Sequence, residues 1–393
     1  MSRPAYFDHA STTPVDLRVA AQMGACLTAD GSFGNPGSIG HAYGEQARER
    51  VESARAQVAA AVGAEPADVI WTSGATEADN LAIFGLGAHA QGRGRHVVTA
   101  RTEHKAVLDP CRELERRGWE VSYLQPDRRG VIDPDRLAAA LRADTVLVSL
   151  MHVNNEIGVI QDIAGFAAVC ERHGGVRLHV DAAQSVGKCA VDFRACGADL
   201  MSLSAHKAYG PKGVGALLVS RRRRVQIEAR QFGGGQERGL RSGTLATHQV
   251  VGMGAAFAIA AAERESEGWR IEALRERLWR GLARQGGALR NGAPADVVPQ
   301  ILNVSFEDVE GESLLAAVAP EIAVSTGSAC ASATGESSYV LRALGRGERL
   351  AESSLRFSLG RQTTEEDVDR AVSAVGGALA RLRRIGGACA TTK

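Results

Sequence analysis

The chain has 393 residues, with 46 Lys+Arg against 45 Asp+Glu, a formal net charge of +1, 45% hydrophobic residues and 23% charged residues. That balance excludes a largely disordered chain and lacks the electrostatic footprint of a dedicated nucleic-acid binder. The length predicts two domains, or one large domain with an elaboration, and a core that needs no disulfide or metal to fold.

Helical periodicity covers 44–62, followed by a strand at 69–72, a helix at 77–90 and strands at 96–99 and 120–124. A helix at 135–142, a strand at 145–151, a helix at 163–173 and strands at 177–180, 200–203 and 215–219 come next. Several of these strands are continuous apolar runs, as in strands buried on both faces. Alternation of strand and helix predicts an α/β fold whose mainly parallel sheet carries helices on both sides, joined by right-handed connections. The pattern changes near residue 260. A charged helical stretch at 263–285 leads to a β-containing region at 298–306, a Gly/Ser/Ala-rich loop at about 325–335, a strand at 354–359 and a helix at 365–384. This part reads as a smaller α+β domain, and the tail from Gly386 is expected to fray.

The first eight residues lack a basic segment followed by an apolar one, and the longest nearly apolar run, 250–262, is too short to span a bilayer. No export signal or membrane association is expected. The 7 cysteines are odd in number and form no Cys-x-x-Cys pair, so neither a disulfide framework nor a structural zinc site is expected. A reducing cytoplasm is the expected compartment.

Three motifs carry chemistry. Val180-Asp181-Ala182-Ala183-Gln184 puts an acid at the carboxyl end of a buried strand, the edge where open parallel sheets bind ligands. A buried carboxylate needs a partner, and a cationic heterocyclic nitrogen would serve; a helix N-cap is the alternative. Leu203-Ser204-Ala205-His206-Lys207 ends the next strand with a lysine suited to a Schiff base, or with an ordinary turn lysine. Thr72-Ser73-Gly74-Ala75-Thr76-Glu77 leads from strand to helix and can cradle a phosphate, or is a plain capped helix start. Gly85-Leu86-Gly87 partly matches a dinucleotide fingerprint but falls within a helix, so it is rejected. A ring nitrogen, an aldehyde and a phosphate are three handles on one small molecule, pyridoxal 5'-phosphate.

With Phe33-Gly34-Asn35-Pro36, Thr102-Glu103-His104, Val153-Asn154-Asn155-Glu156, Gly233-Gly234-Gly235-Gln236-Glu237-Arg238, Arg241-Ser242-Gly243-Thr244 and Ser325-Thr326-Gly327-Ser328-Ala329-Cys330 added, nearly the whole chain resembles the cysteine desulfurases of the IscS/NifS type. These are fold-type-I pyridoxal-phosphate enzymes. The resemblance implies a large cofactor-binding domain, 15–259, with a mainly parallel seven-stranded sheet, and a small domain of 1–14 and 260–393 carrying a catalytic-cysteine loop. It implies that Lys207 holds the cofactor covalently, Asp181 pairs with its ring nitrogen, Gln184 meets the ring hydroxyl and His104 stacks on the ring. Ala75, Thr76, Ser204 and His206 resemble the phosphate ligands, and Thr244 the residue that reaches the phosphate of a neighbouring subunit in a homodimer. Asn155, which the resemblance also places among the cofactor-binding residues, and Arg356 resemble a clamp for the substrate carboxylate; for Arg356, the reading from residues alone leaves a surface arginine open. Cys330 resembles the sulfur-accepting nucleophile, in a segment too poor in apolar residues to bury it and therefore expected to be mobile.

The activity implied is conversion of L-cysteine to L-alanine with a persulfide on Cys330. Lys207 would move the Cα proton, and His104 is a candidate proton donor or acceptor. The sulfur would go to an acceptor or iron–sulfur scaffold protein. No resident metal is implied, although Cys330 could transiently hold an iron–sulfur cluster. Alternatives are a selenocysteine lyase or a desulfurase dedicated to nitrogenase, tRNA or DNA sulfur modification. The last residues, from Ile385, lack the longer ending by which housekeeping relatives contact a scaffold.

Overall fold

The computed structural model describes residues 3–90, 92–327 and 337–390, with side chains through 385. The strands are β1 (Ala5–Tyr6), β2 (Val69–Thr72), β3 (His96–Ala100), β4 (Glu120–Leu124), β5 (Thr145–Met151) and β6 (Arg177–Asp181). They continue with β7 (Leu200–Ser204), β8 (Gly215–Val219), β9 (Ala288–Asn291), β10 (Ile301–Phe306), β11 (Ile322–Ala323) and β12 (Ser354–Ser358). The helices are α1 (Leu17–Gly24), α2 (Ala42–Ala61), α3 (Ala75–His89), α4 (Lys105–Arg116), α5 (Pro134–Ala140) and α6 (Ile163–Arg172). Then come α7 (Thr247–Ala283), α8 (Gly311–Val318), α9 (Tyr339–Ala343), α10 (Glu348–Glu352) and α11 (Glu365–Ala390).

A seven-stranded sheet has the order β2-β8-β7-β6-β5-β3-β4. Only β8 runs against the rest, pairing antiparallel with β2 and β7. Consecutive residues of its strands serve opposite faces. Val97, Leu147 and Leu217 pack with Leu81, Leu86 and Leu114 of α3 and α4. Val98, Val148 and Leu218 pack with Val58 of α2, Phe166 of α6 and Phe257 of α7. The sheet is therefore covered on both sides, which explains the unbroken apolar runs. A second sheet, β12-β10-β9, is antiparallel. Its Leu302, Val304, Phe306, Leu355 and Phe357 share a core with α8, α11 and the distal half of α7.

The sequence reading divides the apolar run at 250–262 from the charged stretch at 263–285. In the structure both belong to α7, one helix of 37 residues. No proline interrupts it, and what changes along it is the surface it packs on. Met253 and Phe257 belong to the large core, whereas Ile271, Leu274 and Leu278 belong to the second. We propose that the boundary between a large unit, 15–259, and a small one, 1–14 with 260–393, falls inside this helix. The frayed tail expected from Gly386 is also corrected. The helical backbone of α11 continues to Ala390, since Gly386 and Gly387 weaken a helix without removing its hydrogen bonds as proline would.

A buried ion pair fastens the loop after β8 to the large sheet. Glu237 receives hydrogen bonds from both terminal nitrogens of Arg55, each 2.9 Å, and from the Trp71 backbone N–H at 2.8 Å. The side chains of Arg55 and Glu237 are 11% and 4% exposed. Removing one charge strands the other in low dielectric, a loss of about 3 kcal/mol or more. Glu237→Gln is expected to lower the urea-unfolding free energy by about that amount. An unchanged midpoint would mean that solvent reaches the pair.

Candidate active site

Six strands of the large sheet point one way, so Thr72, Met151, Asp181 and Ser204 end at the same edge. A cavity of about 510 Å³ opens there. It brings together ten predicted residues: Ala75, Thr76, His104, Asn155, Asp181, Gln184, Ser204, His206, Lys207 and Arg356. Thr244 is exposed and does not line the cavity of its own chain. Cys330 lies outside the described residues.

One end of the cavity suits an anion. Gly74 has φ +155°, and a Cβ on Gly215 would come within 2.6 Å of the Gly74 Cα, so the two backbones meet directly at the β2–α3 turn. Gly74 caps α3 without any side-chain hydrogen bond, which leaves first-turn N–H groups facing the cavity. Ser204, His206 and Lys212 line the same end. Burial and the charges of Lys207, Lys212 and Lys188 push the His206 pKa down to about 4, so its ring is neutral near pH 7.

The opposite end is acidic. Asp181 is 6% exposed and accepts the Ala183 N–H at 2.9 Å. Burial raises its pKa, against the pull of that N–H, His104 and Lys207. Asp79, on α3, is completely buried and 3.5 Å from His179 Nε2. Burial and the Asp181 charge raise its pKa well above the carboxylate range. His179 cannot supply a countercharge: burial pushes its pKa down to about 3, and its ring nitrogens meet Ser149 Oγ at 2.8 Å and Ser202 Oγ at 2.9 Å. Of the two aspartates, Asp79 takes the proton more readily, because Asp181 has the backbone donor and the Lys207 charge. A single negative charge then faces the cavity.

His104 caps α4, its Nδ1 accepting the Ala106 N–H at 3.1 Å. That bond puts the proton of the neutral ring on Nε2, and burial lowers the pKa, which favours the neutral form. Lys207 sits in a single turn after β7, its Nζ donating to the carbonyls of Ala10 at 2.5 Å and Ser11 at 2.9 Å. Gln184 Nε2 donates to the same Ala10 carbonyl at 2.8 Å.

Arg356, on β12, is 1% exposed and thus no surface arginine. It donates to the Asn155 carbonyl at 2.9 Å, Asp8 at 2.8 Å and Ser11 Oγ at 2.7 Å. Among the described residues, Arg356 Nε and Asn155 Oδ1 are buried without a hydrogen-bond partner. Sequence reasoning missed Asp8, Asp79, His179 and Lys188 as parts of the site. A signal existed for His179, which stands two residues before Asp181 on one strand and so shares its face. Asp79 lies one helical turn beyond the phosphate cradle, but nothing local marks it.

The cavity has an unprotonated-acid wall, a lysine amine and an uncapped helix start, with orphaned polar atoms at its rim. These fit the ring nitrogen, aldehyde and phosphate of pyridoxal 5'-phosphate, and the volume is ample for it. Fold and site together define a pyridoxal-phosphate enzyme. The family model for class-V aminotransferases matches residues 5–371, and the chain belongs to that family. A curated relative, cysteine desulfurase IscS of Pectobacterium atrosepticum, is 56% identical over 383 residues, covering 98% of this chain and 94% of the relative. A solved NifS-like protein is 35% identical with a TM-score of 0.90, covering 96% of this chain and 100% of that one. A structure of SspA in complex with cysteine is 35% identical with a TM-score of 0.80, covering 90% and 98%.

The protonated state of Asp79 has a consequence for stability. A carboxyl whose folded pKa is raised contributes most below its unfolded pKa near 4, and that contribution is lost as pH rises toward the folded value. Asp79→Asn removes this cost. In the cofactor-free protein, its stability relative to wild type is expected to grow by up to about 1.4 kcal/mol per pH unit above pH 4. Urea unfolding at several pH values measures it, and a constant difference would show Asp79 ionised.

Proposed function

We infer that this chain is a pyridoxal-phosphate-dependent cysteine desulfurase, converting L-cysteine to L-alanine and leaving a persulfide on Cys330. The observation that carries the reading is the convergence of Lys207, Asp181 and the uncapped start of α3 on one cavity, with Arg356 at its rim. When bound, the cofactor supplies an electron-accepting ring. Asp181 holds the negative charge that keeps its nitrogen protonated. Lys207 anchors it and, once freed, moves the proton at the substrate Cα. Asn155 and Arg356 orient the substrate carboxylate, a task for which a buried guanidinium is suited. His104, with its proton on Nε2, would exchange a proton at the substrate sulfur. The Cys330 thiolate attacks that sulfur: an S–S bond forms, the substrate C–S bond breaks, and Cβ gains a proton in the product.

The flanks of the segment carrying Cys330 support its role. Ser325 exchanges backbone hydrogen bonds with Arg356 itself, at 2.6 and 3.4 Å. On the far side, Ser338 Oγ donates to Glu156 at 2.6 Å and the Tyr339 hydroxyl to the Glu103 carbonyl at 2.8 Å. Glu103 and Glu156 adjoin His104 and Asn155, so both anchors stand at the site.

The same reading makes the active unit a homodimer. Phe33, Ile39, Tyr43 and Phe232 are large, exposed apolar side chains, and Phe33 and Tyr43 have ring centroids 5.4 Å apart. A second copy would cover them, and Thr244 would complete the partner's phosphate site. The reading includes a sulfur-acceptor or scaffold protein as recipient, and a reducing cytoplasm in which free thiols such as Cys26 and Cys111 persist. Among the described residues, no helix is long and apolar enough to cross a membrane.

Incubation with L-cysteine is expected to release L-alanine and to add the mass of one sulfur to the peptide containing Cys330. Cys330→Ala is expected to abolish sulfur transfer while retaining the visible absorbance of the cofactor. Lys207→Ala is expected to lose borohydride-stable attachment. Transfer at the wild-type rate by Cys330→Ala would overturn the assignment.

A further inference from the structure

Lys188 lies four residues after Gln184 in the turns that follow β6, and its half-buried side chain returns to the site. Its Nζ donates to Gln184 Oε1 at 2.6 Å. Gln184 Nε2 donates at 2.8 Å to the Ala10 carbonyl, the same oxygen that accepts from Lys207 Nζ at 2.5 Å. An unbroken hydrogen-bonded chain thus runs from one lysine through a carboxamide and a carbonyl to the other.

That chain has one consistent polarity. The Ala10 carbonyl can only accept, so it requires an N–H of Gln184. An ammonium can only donate, so it requires the Gln184 oxygen. A flipped amide would set oxygen against oxygen and N–H against ammonium. With one amide N–H spent on Ala10 and the oxygen engaged by Lys188, the remaining Gln184 N–H is the group available to the cavity.

We propose that Lys188 is a positioning residue that locks Gln184 as a hydrogen-bond donor toward the oxygen of the bound cofactor's ring. The proposal rests on the reading that the site holds pyridoxal 5'-phosphate on Lys207. A donor and a positive charge near that oxygen favour its deprotonated form and ease loss of the proton it shares with the Lys207 linkage.

The surroundings make the Lys188 charge sensitive to pH. Burial, then the charges of Lys207 and Arg356, push its pKa down to about 7, with Cys189 opposing. His9 and His206, which also sense Lys188, are neutral near pH 7, each with a pKa of about 4. Across a small neighbouring cavity, Glu267 is engaged by Arg361 and so supplies little countercharge. The Tyr209 hydroxyl is held neutral, its pKa pushed up to about 12 by burial.

The test follows the pH midpoint of the visible absorbance of the holoenzyme and its dissociation constant for pyridoxal 5'-phosphate. Lys188→Met is expected to raise the midpoint by about one unit, a tenfold change in proton affinity. Lys188→Arg, which keeps a donor and a charge, is expected to stay within a few tenths of wild type. An unshifted Lys188→Met midpoint, or a Lys188→Arg midpoint displaced as far as that of Lys188→Met, overturns the proposal and leaves the cofactor reading intact. A wild-type protein that takes up no cofactor overturns both.

Discussion

The site is organised around one buried negative charge. Asp181 stands at the end of a sheet strand with 6% of its surface exposed, where an isolated carboxylate would be neutralised. A backbone N–H and the Lys207 charge support its ionised form, while Asp79 beside it takes up a proton more readily. Histidines nearby are held neutral by burial, so they act as hydrogen-bonding groups and do not compete as countercharges. The consequence is that a cationic ring is the group this wall is built to receive.

The same economy governs the rest of the cavity. Positive groups gather too: Lys207 and Arg356 both stand within electrostatic reach of Lys188. Each donates to oxygen, through the Ala10 and Ser11 carbonyls, the Gln184 amide, and Asp8 with the Asn155 carbonyl. An uncapped helix start adds partial positive charge at the third side. A ligand with a cationic ring nitrogen and an anionic phosphate therefore has one orientation in which every contact is favourable.

Most of the large sheet was legible because its strands are buried on both faces and so write themselves as apolar runs between helical repeats. β2, β4, β5 and β8 match the sequence reading end for end. The two-residue strands β1 and β11 have too few residues to show a period, and they pair only through tertiary contact. The continuity of α7 was illegible for a different reason: its periodicity shifts where it passes from one core to another, and a shift of that kind resembles a break. Within the site, residues at strand ends and helix starts announced themselves through local chemistry. Asp8 matters through a partner far away in the chain and Asp79 through burial, and no local pattern encodes either.

The long helix has a mechanical implication. Arg356 belongs to the second sheet, while Lys207 follows a strand of the first, and α7 is built into the cores behind both. A rod shared by two packed bodies resists bending, so it acts as a ruler for the gap between the guanidinium and the amine. The width of the substrate slot is thereby written in side chains well removed from it, in how α7 seats Phe257 on one side and Leu274 on the other.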